Sequence, residues 1–194
     1  MTKLIIKNLF DLNCFKFGSF KLKNNQISPF YINLRILISN PETLSILAEL
    51  VYKKFIKPIY LERKEVLSIC GLPYAGIPLA SFISCKYNIP LLLLRKEKKN
   101  YGTKQMIEGI TEETNKVILI DDIITSGTSI NESLVFFNEF EIINIITVID
   151  REQSKNIENY NSLFTISEVF HFLKLSNLIS KEQYDTSFEF IKNN

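Results

Sequence analysis

Two adjacent carboxylates, Asp121 and Asp122, close the apolar run VILI at 117–120 and stand just ahead of Thr125-Ser126-Gly127-Thr128-Ser129. That order has chemical content. A loop of small residues opening a helix exposes backbone N–H groups, the helix dipole adds partial positive charge, and the hydroxyls add donors, so the loop makes a cradle for a phosphate. Carboxylates do not bind phosphate. Beside such a cradle they suit sugar hydroxyls, a metal ion or a developing positive charge. A strand, an acidic turn and a serine-capped helix would explain each piece alone. They would not explain the fixed order of apolar strand, paired acids, two apolar residues and Thr-x-Gly-Thr. The stretch also lacks the Gly-Lys of a P-loop and the GxGxxG of a dinucleotide site.

A second cluster precedes it. Residues 95–104 read RKEKKNYGTK, with Arg95, Lys96, Lys98, Lys99 and Lys104 set against Glu97, a net charge of +4. On its own such a run is an ordinary solvated loop. Next to a phosphate cradle it can close over the site, exclude water and neutralise a diphosphate leaving group. Arg151 follows the apolar stretch 142–149, in VIDREQ. An arginine at a strand end is often a surface ion-pair partner, but its planar fork also suits a carboxylate. His171 is the one histidine and lies in the apolar stretch SEVFHFLKL, where a structural or surface role fits it. Cys14, Cys70 and Cys85 are far apart. Neither a zinc site nor a Ser-His-Asp triad finds support, and the odd cysteine set reads as reduced thiols.

These residues need a scaffold. Apolar strands are predicted at 66–70, 90–94, 117–120 and 142–149, with helices at 75–87, 126–140 and 168–175. Fully apolar strands separated by helices indicate a parallel sheet covered on both faces, a doubly wound α/β domain. Asp121 and Asp122 would then sit at a strand's carboxyl end, where such sheets bind ligands. The first 60 residues break the rhythm. They predict a hairpin strand at 15–22, an extended segment at 28–34 because Pro29 disfavours helix before it, and a helix at 41–56 with Asn40 as N-cap ahead of Pro41. This reads as one domain over 1–194: an N-terminal cap or hood (1–60), a core sheet (61–175) and a C-terminal helix (176–194).

Bulk numbers narrow the class. The chain has 194 residues, 46% apolar and 23% charged, with net charge +2. That balance suits one folded domain and gives no general affinity for nucleic acid. No apolar run reaches the roughly 18 residues of a membrane span, and the N-terminus lacks the pattern of a signal peptide. A cytoplasmic protein is expected.

The 117–129 stretch resembles the phosphoribosyl diphosphate signature of type I phosphoribosyltransferases. Residues 93–109, LLRKEKKNYGTKQMIEG, resemble the flexible catalytic loop of the orotate phosphoribosyltransferases, nearest to the form in the transferase half of eukaryotic UMP synthase. The resemblance implies that Asp121 and Asp122 are catalytic near the ribose, and that Thr125, Ser126, Gly127, Thr128 and Ser129 bind the sugar phosphate. It implies that Arg95 and Lys99 act on the diphosphate in the neighbouring subunit's site and Lys96 on its own. Tyr101 stands where many bacterial members carry a histidine. Residues 71–78, GLPYAGIP, resemble the family's diphosphate loop and include Tyr74; Ala75 stands where bacterial members often have a lysine.

Residues 15–35 resemble the family's N-terminal segment. Lys23 matches a base-side lysine, although Asn24 and Asn25 replace the usual Ser-Gly. Phe30 and Tyr31 fall where aromatics face the pyrimidine, with a core role for one of them as the alternative. Arg151 matches the arginine that grips the orotate carboxylate. The implied reaction is transfer of the phosphoribosyl group to N1 of orotate in UMP synthesis. Mg²⁺ would be held mainly through phosphoribosyl diphosphate, near Asp121 and Asp122. A homodimer with shared sites and an orotidine monophosphate decarboxylase partner are implied as well. Two alternatives are a non-catalytic regulator that senses phosphoribosyl diphosphate, which typically loses the loop kept here, and a purine transferase of the same fold, against which Arg151 and the Lys23 segment argue.

Overall fold

In the computed structural model the structure describes residues 2–22, 25–97, 105–110, 114–153, 157 and 159–193. Helix α1 (Thr2–Asp11), which the sequence reading does not anticipate, precedes an antiparallel hairpin, β1 (Phe15–Lys21) with β2 (Ile27–Ile32). A 3-10 turn, Leu34–Ser39, leads to α2 (Pro41–Val51). Asn40 caps α2 as expected, its side chain accepting from Thr43 N–H at 3.0 Å. The single helix predicted for 41–56 is not uniform. Residues Tyr52–Ile56 widen into a π turn, and α3 (Lys57–Arg63) continues beyond it. Pro58 accounts for the change: it has no N–H to donate, and its ring would press on the carbonyl four residues back.

The core alternates as predicted. Strands β3 (Ser68–Gly71), β4 (Leu91–Leu94), β6 (Lys116–Ile124), β7 (Glu141–Asp150) and β8 (Tyr160–Thr165) are parallel, and the two-residue β5 (Ile107–Glu108) runs antiparallel at one edge. The order is β5-β4-β3-β6-β7-β8. Between the strands lie α4 (Gly76–Tyr87) and α5 (Thr128–Leu134); α6 (Ile166–Leu175) and α7 (Lys181–Lys192) follow the last one. Both late helices open with a capping box, Thr165 with Glu168 and Ser180 with Gln183.

Alternate residues of β6 feed two cores. Ile118 and Ile120 join a large cluster with α1, α2, α4 and α6, while Val117 and Leu119 join a smaller one with Ile130 of α5 and Phe137. The N-terminal segment is therefore no loose appendage: its Ile5, Leu9, Phe30 and Leu47 belong to the larger core.

Two boundaries are corrected. The helix expected over 126–140 ends at Leu134, because Phe136 and Phe137 N–H groups turn back to Ser133 and Leu134 carbonyls and send Phe137 into the smaller core. The strand expected to stop at Ile120 runs on to Ile124, since Asp121, Ile123 and Ile124 still find partners in Thr147, Ile149 and Asp150 of β7.

Candidate active site

From β3 the chain moves through α4 to β4 on one side; from β6 it moves through α5 to β7 on the other. The crevice outside the carboxyl ends of β3 and β6 is thus the sheet's topological switch point, the ligand position in folds of this kind. The turn after β3 and the 121–129 stretch meet there, and the foot of the cationic loop leaves the neighbouring β4.

The turn after β3 lies against β6. Leu72 N–H donates to the Ile120 carbonyl at 2.8 Å. A Cβ at Gly76 would meet that oxygen at 2.1 Å, so only glycine permits the approach. Tyr74, at the tip of this turn, is exposed, and the Lys96 Nζ sits 5.1 Å from its ring centre.

On the same strand Asp121 is only 8% exposed, and its Oδ1 accepts the Asp122 N–H at 2.9 Å. Burial pushes the Asp121 carboxyl well above the ordinary range, and the neighbouring Asp122 charge adds to the rise. Burial raises Asp122 as well. Arg35, on the 3-10 turn after β2, opposes the rise at both acids. Asp122 also lines a small cavity with Leu34 and Leu37 of that turn and with Ala75 and Pro78.

The cradle follows at once. Thr125, Ser126, Thr128 and Ser129 are exposed, and Gly127 takes the left-handed conformation (φ +81°) that turns the chain into α5. Gly127 offers no side-chain cap to that helix. Ser126 and Thr128 hydroxyls are 2.9 Å apart.

The cationic loop leaves β4 and returns as β5, so its base is a hairpin: Arg95 N–H donates to the Met106 carbonyl at 2.9 Å. The Arg95 Nη1 donates to Glu108 Oε1 at 2.7 Å, an ion pair at the foot of the loop. Lys99 and Tyr101 lie outside the described residues, as does Lys23.

Arg151 N–H bonds the Ile124 carbonyl at 2.9 Å, tying it to the end of the acid-bearing strand. Its side chain is only 6% exposed. Burial lowers its pKa to about 10, so it is a full cation at neutral pH. Its Nη2 donates to Ser28 Oγ at 2.7 Å, and its guanidinium lies 4.6 Å from the Phe30 ring centre and 5.8 Å from that of Phe190 on α7. Among the described residues it has no carboxylate partner, and its Nε is buried without an acceptor. A buried cation in that condition is costly unless an anion arrives. Phe30 is itself buried, whereas Tyr31 is exposed and packs its ring on Phe20 at 5.7 Å. The core role weighed for one of the two aromatics thus belongs to Phe30.

Arg35, Ser28 and Phe190 escape a sequence reading. Ser28 carries only the signal of preceding Pro29, Arg35 ends a motif without a chemical neighbour in sequence, and Phe190 sits in a helix with no motif at all. Among the described residues no three His, Cys, Asp or Glu side chains gather as a metal site. Two carboxylates completed by substrate phosphates are nonetheless a donor set that Mg²⁺ takes.

The description "phosphoribosyl transferase domain" belongs to the family model that matches residues 36–175. An orotate phosphoribosyltransferase of Caenorhabditis elegans is 34% identical over 185 residues, covering 91% of this chain and 80% of that protein. Bovine uridine 5'-monophosphate synthase is 33% identical over 98% of this chain, which spans 40% of its length. The structure of Leishmania donovani UMP synthase superposes with a TM-score of 0.85 at 28% identity, covering all of this chain and 42% of that one.

Proposed function

We propose that this chain, which belongs to the phosphoribosyl transferase domain family and within it to the orotate phosphoribosyltransferases, transfers the phosphoribosyl group of phosphoribosyl diphosphate to N1 of orotate, giving orotidine 5'-monophosphate and diphosphate. One observation carries the reading beyond family likeness. The acid pair, the anion cradle and a buried arginine that has no carboxylate partner among the described residues share one rim of the sheet.

Orotate N1 ionises readily, so no strong base is required. The bond from N1 to the anomeric carbon forms as the bond to diphosphate breaks, through an oxocarbenium-like transition state. Thr125–Ser129 hold the 5'-phosphate with backbone and hydroxyl donors. Asp121 and Asp122 take ribose hydroxyls and face the positive charge as it develops. Burial raises both carboxyls above the ordinary range, so their negative charge is held at a cost that a bound cation or a cationic transition state offsets. Arg151 receives the orotate carboxylate, an anion that no described residue supplies to its buried charge. Lys96 and Tyr74 lie beside the diphosphate. Mg²⁺ bound through the diphosphate, near Asp121 and Asp122, would supply further positive charge to the leaving group.

The protein acts as a homodimer. Its 95–104 loop serves the partner's site through Arg95 and Lys99, with Tyr101 beside them, while Lys23 lies on the base side of the site. Opening the Arg95–Glu108 pair at the loop foot would free that guanidinium. A decarboxylase of orotidine monophosphate, fused or separate, is the partner this product calls for. No helix among the described residues is long and apolar enough to cross a membrane; we place the activity in the cytoplasm.

The test is an ultraviolet assay of orotate consumption with phosphoribosyl diphosphate and Mg²⁺, with uracil and the purine bases as alternative acceptors. Turnover of a purine base with none of orotate would overturn the proposal.

A further inference from the structure

Arg151 is held by two residues that lie far from it in sequence, Ser28 and Phe190. Ser28 on β2 is fully buried, and its hydroxyl is completely committed. Its one O–H donates to the Phe30 carbonyl at 2.7 Å, and its oxygen accepts from Arg151 Nη2 at 2.7 Å and from Phe30 N–H at 3.3 Å. Phe190, near the end of α7, sets its ring 5.8 Å from the guanidinium and meets the Phe30 ring edge-on at 5.9 Å and 88°. Phe30 is fixed in turn by Phe170 of α6, edge-on at 4.9 Å. The guanidinium is therefore located by one directed hydrogen bond and two aromatic faces, while its Nε keeps an unspent donor.

Such a frame costs stability. It desolvates a cation without supplying a counter-charge among the described residues, and aromatic faces and one hydroxyl return only part of that cost. Its effect is orientation. A long arginine side chain, which would otherwise lose rotamer freedom on binding, meets its anion already ordered.

We infer that Ser28 and Phe190 are positioning residues for recognition of the acceptor's carboxylate: they pre-orient Arg151, and α7 is thereby a working part of the base-binding side of the site. This rests on the reading of Arg151 as the residue that takes the carboxylate of orotate. It extends that role to a serine on the N-terminal hairpin and a phenylalanine on the C-terminal helix.

The experiment measures steady-state constants with orotate and phosphoribosyl diphosphate varied separately, and thermal melting, for Ser28→Ala, Ser28→Thr, Phe190→Leu, Phe190→Tyr and Arg151→Ala. The positioning role predicts that Ser28→Ala and Phe190→Leu raise the KM for orotate about tenfold, the scale of one lost hydrogen bond to a charged group. The KM for phosphoribosyl diphosphate should stay within about twofold, and the preference for orotate over uracil should narrow by the same factor. Ser28→Thr, which keeps the hydroxyl, and Phe190→Tyr, which keeps the ring, should restore the orotate constant. Phe190 is only half-buried, so its leucine variant carries the test if Ser28→Ala does not fold. If Arg151→Ala raises the orotate constant while neither Ser28→Ala nor Phe190→Leu does, the positioning role is wrong and the reading of Arg151 stands. If Arg151→Ala leaves that constant unchanged, the reading of Arg151 itself falls. A drop in melting temperature with both substrate constants unmoved would make Ser28 and Phe190 merely structural.

Discussion

The Ile120 carbonyl oxygen occupies the space that a side chain on residue 76 would need: a Cβ built there lies 2.1 Å from it and 3.2 Å from Asp121 Cα. The close approach sets the turn after β3 directly beside the acid pair. Gly76→Ala must push that turn away from β6, because the obstacle is backbone and cannot swing aside. A loss of about 1–3 kcal/mol is expected, seen as a fall of several degrees in melting temperature, together with a raised KM for phosphoribosyl diphosphate. A variant that melts like the parent would show that the two loops are not held in contact.

Asp121 and Asp122 oppose the stability of the ligand-free protein. A carboxyl with a raised folded-state pKa binds its proton more tightly in the native than in the unfolded chain. Stability therefore falls as pH rises from the unfolded value near 3.9 up through the raised one. Asp121→Asn and Asp122→Asn, which remove that penalty, should raise the melting temperature at neutral pH, and the gain should fade as pH is lowered toward about 4. On their proposed role facing the developing charge, turnover should fall by about 10²-fold or more. Melting curves from pH 4 to 8 beside initial rates check both halves. Loss of stability at neutral pH would contradict the electrostatic account.

A loop that crosses into the neighbouring site should allow two dead variants to rescue one another. On the proposed shared-site dimer, mixing Lys99→Ala subunits with Asp122→Asn subunits should give mixed dimers, each with one site that carries both lesions and one that carries neither. Part of the activity should return after exchange of subunits. Assays that recover none at any mixing ratio would remove the shared site.

The three thiols should differ sharply in reactivity. Burial pushes Cys14 and Cys70 up to about 11, so neither forms thiolate near neutral pH, while Cys85 is exposed. Titration of the native protein with a disulfide reagent should report one fast thiol, and the other two should appear only on unfolding. Fast reaction of more than one would mean that the core around Cys14 or Cys70 opens readily.

Much of the site is legible in the sequence because its chemistry is local. Strand, acids, small-residue turn and helix start are contiguous from 117 to 129, and local backbone rules suffice to turn them into a cradle beside carboxylates. The parallel α/β class is legible for a similar reason: strands buried on both faces read as apolar runs, as VILI does at 117–120. β8 is not. At the sheet's edge its YNSLFT mixes polar and apolar residues, and nothing apolar is required of its open face. Nor is the length of β6, because Asp121 stays in the ladder through its pairing with Thr147, a partner the local sequence cannot name.

By itself, then, the sequence determined which groups are available: a small-residue loop opening a helix, paired acids, a cationic loop and an arginine at a strand end. The tertiary structure decided which of them are spent and which remain free to act. Arg95 is paired with Glu108 at the foot of its loop, Phe30 is turned into the core, and Arg151 is gripped by Ser28 and Phe190 with a donor left over. The reason is physical. Burial and partnership depend on chain segments brought together by packing, and the energy of a charge is set by what surrounds it far more than by its neighbours along the chain.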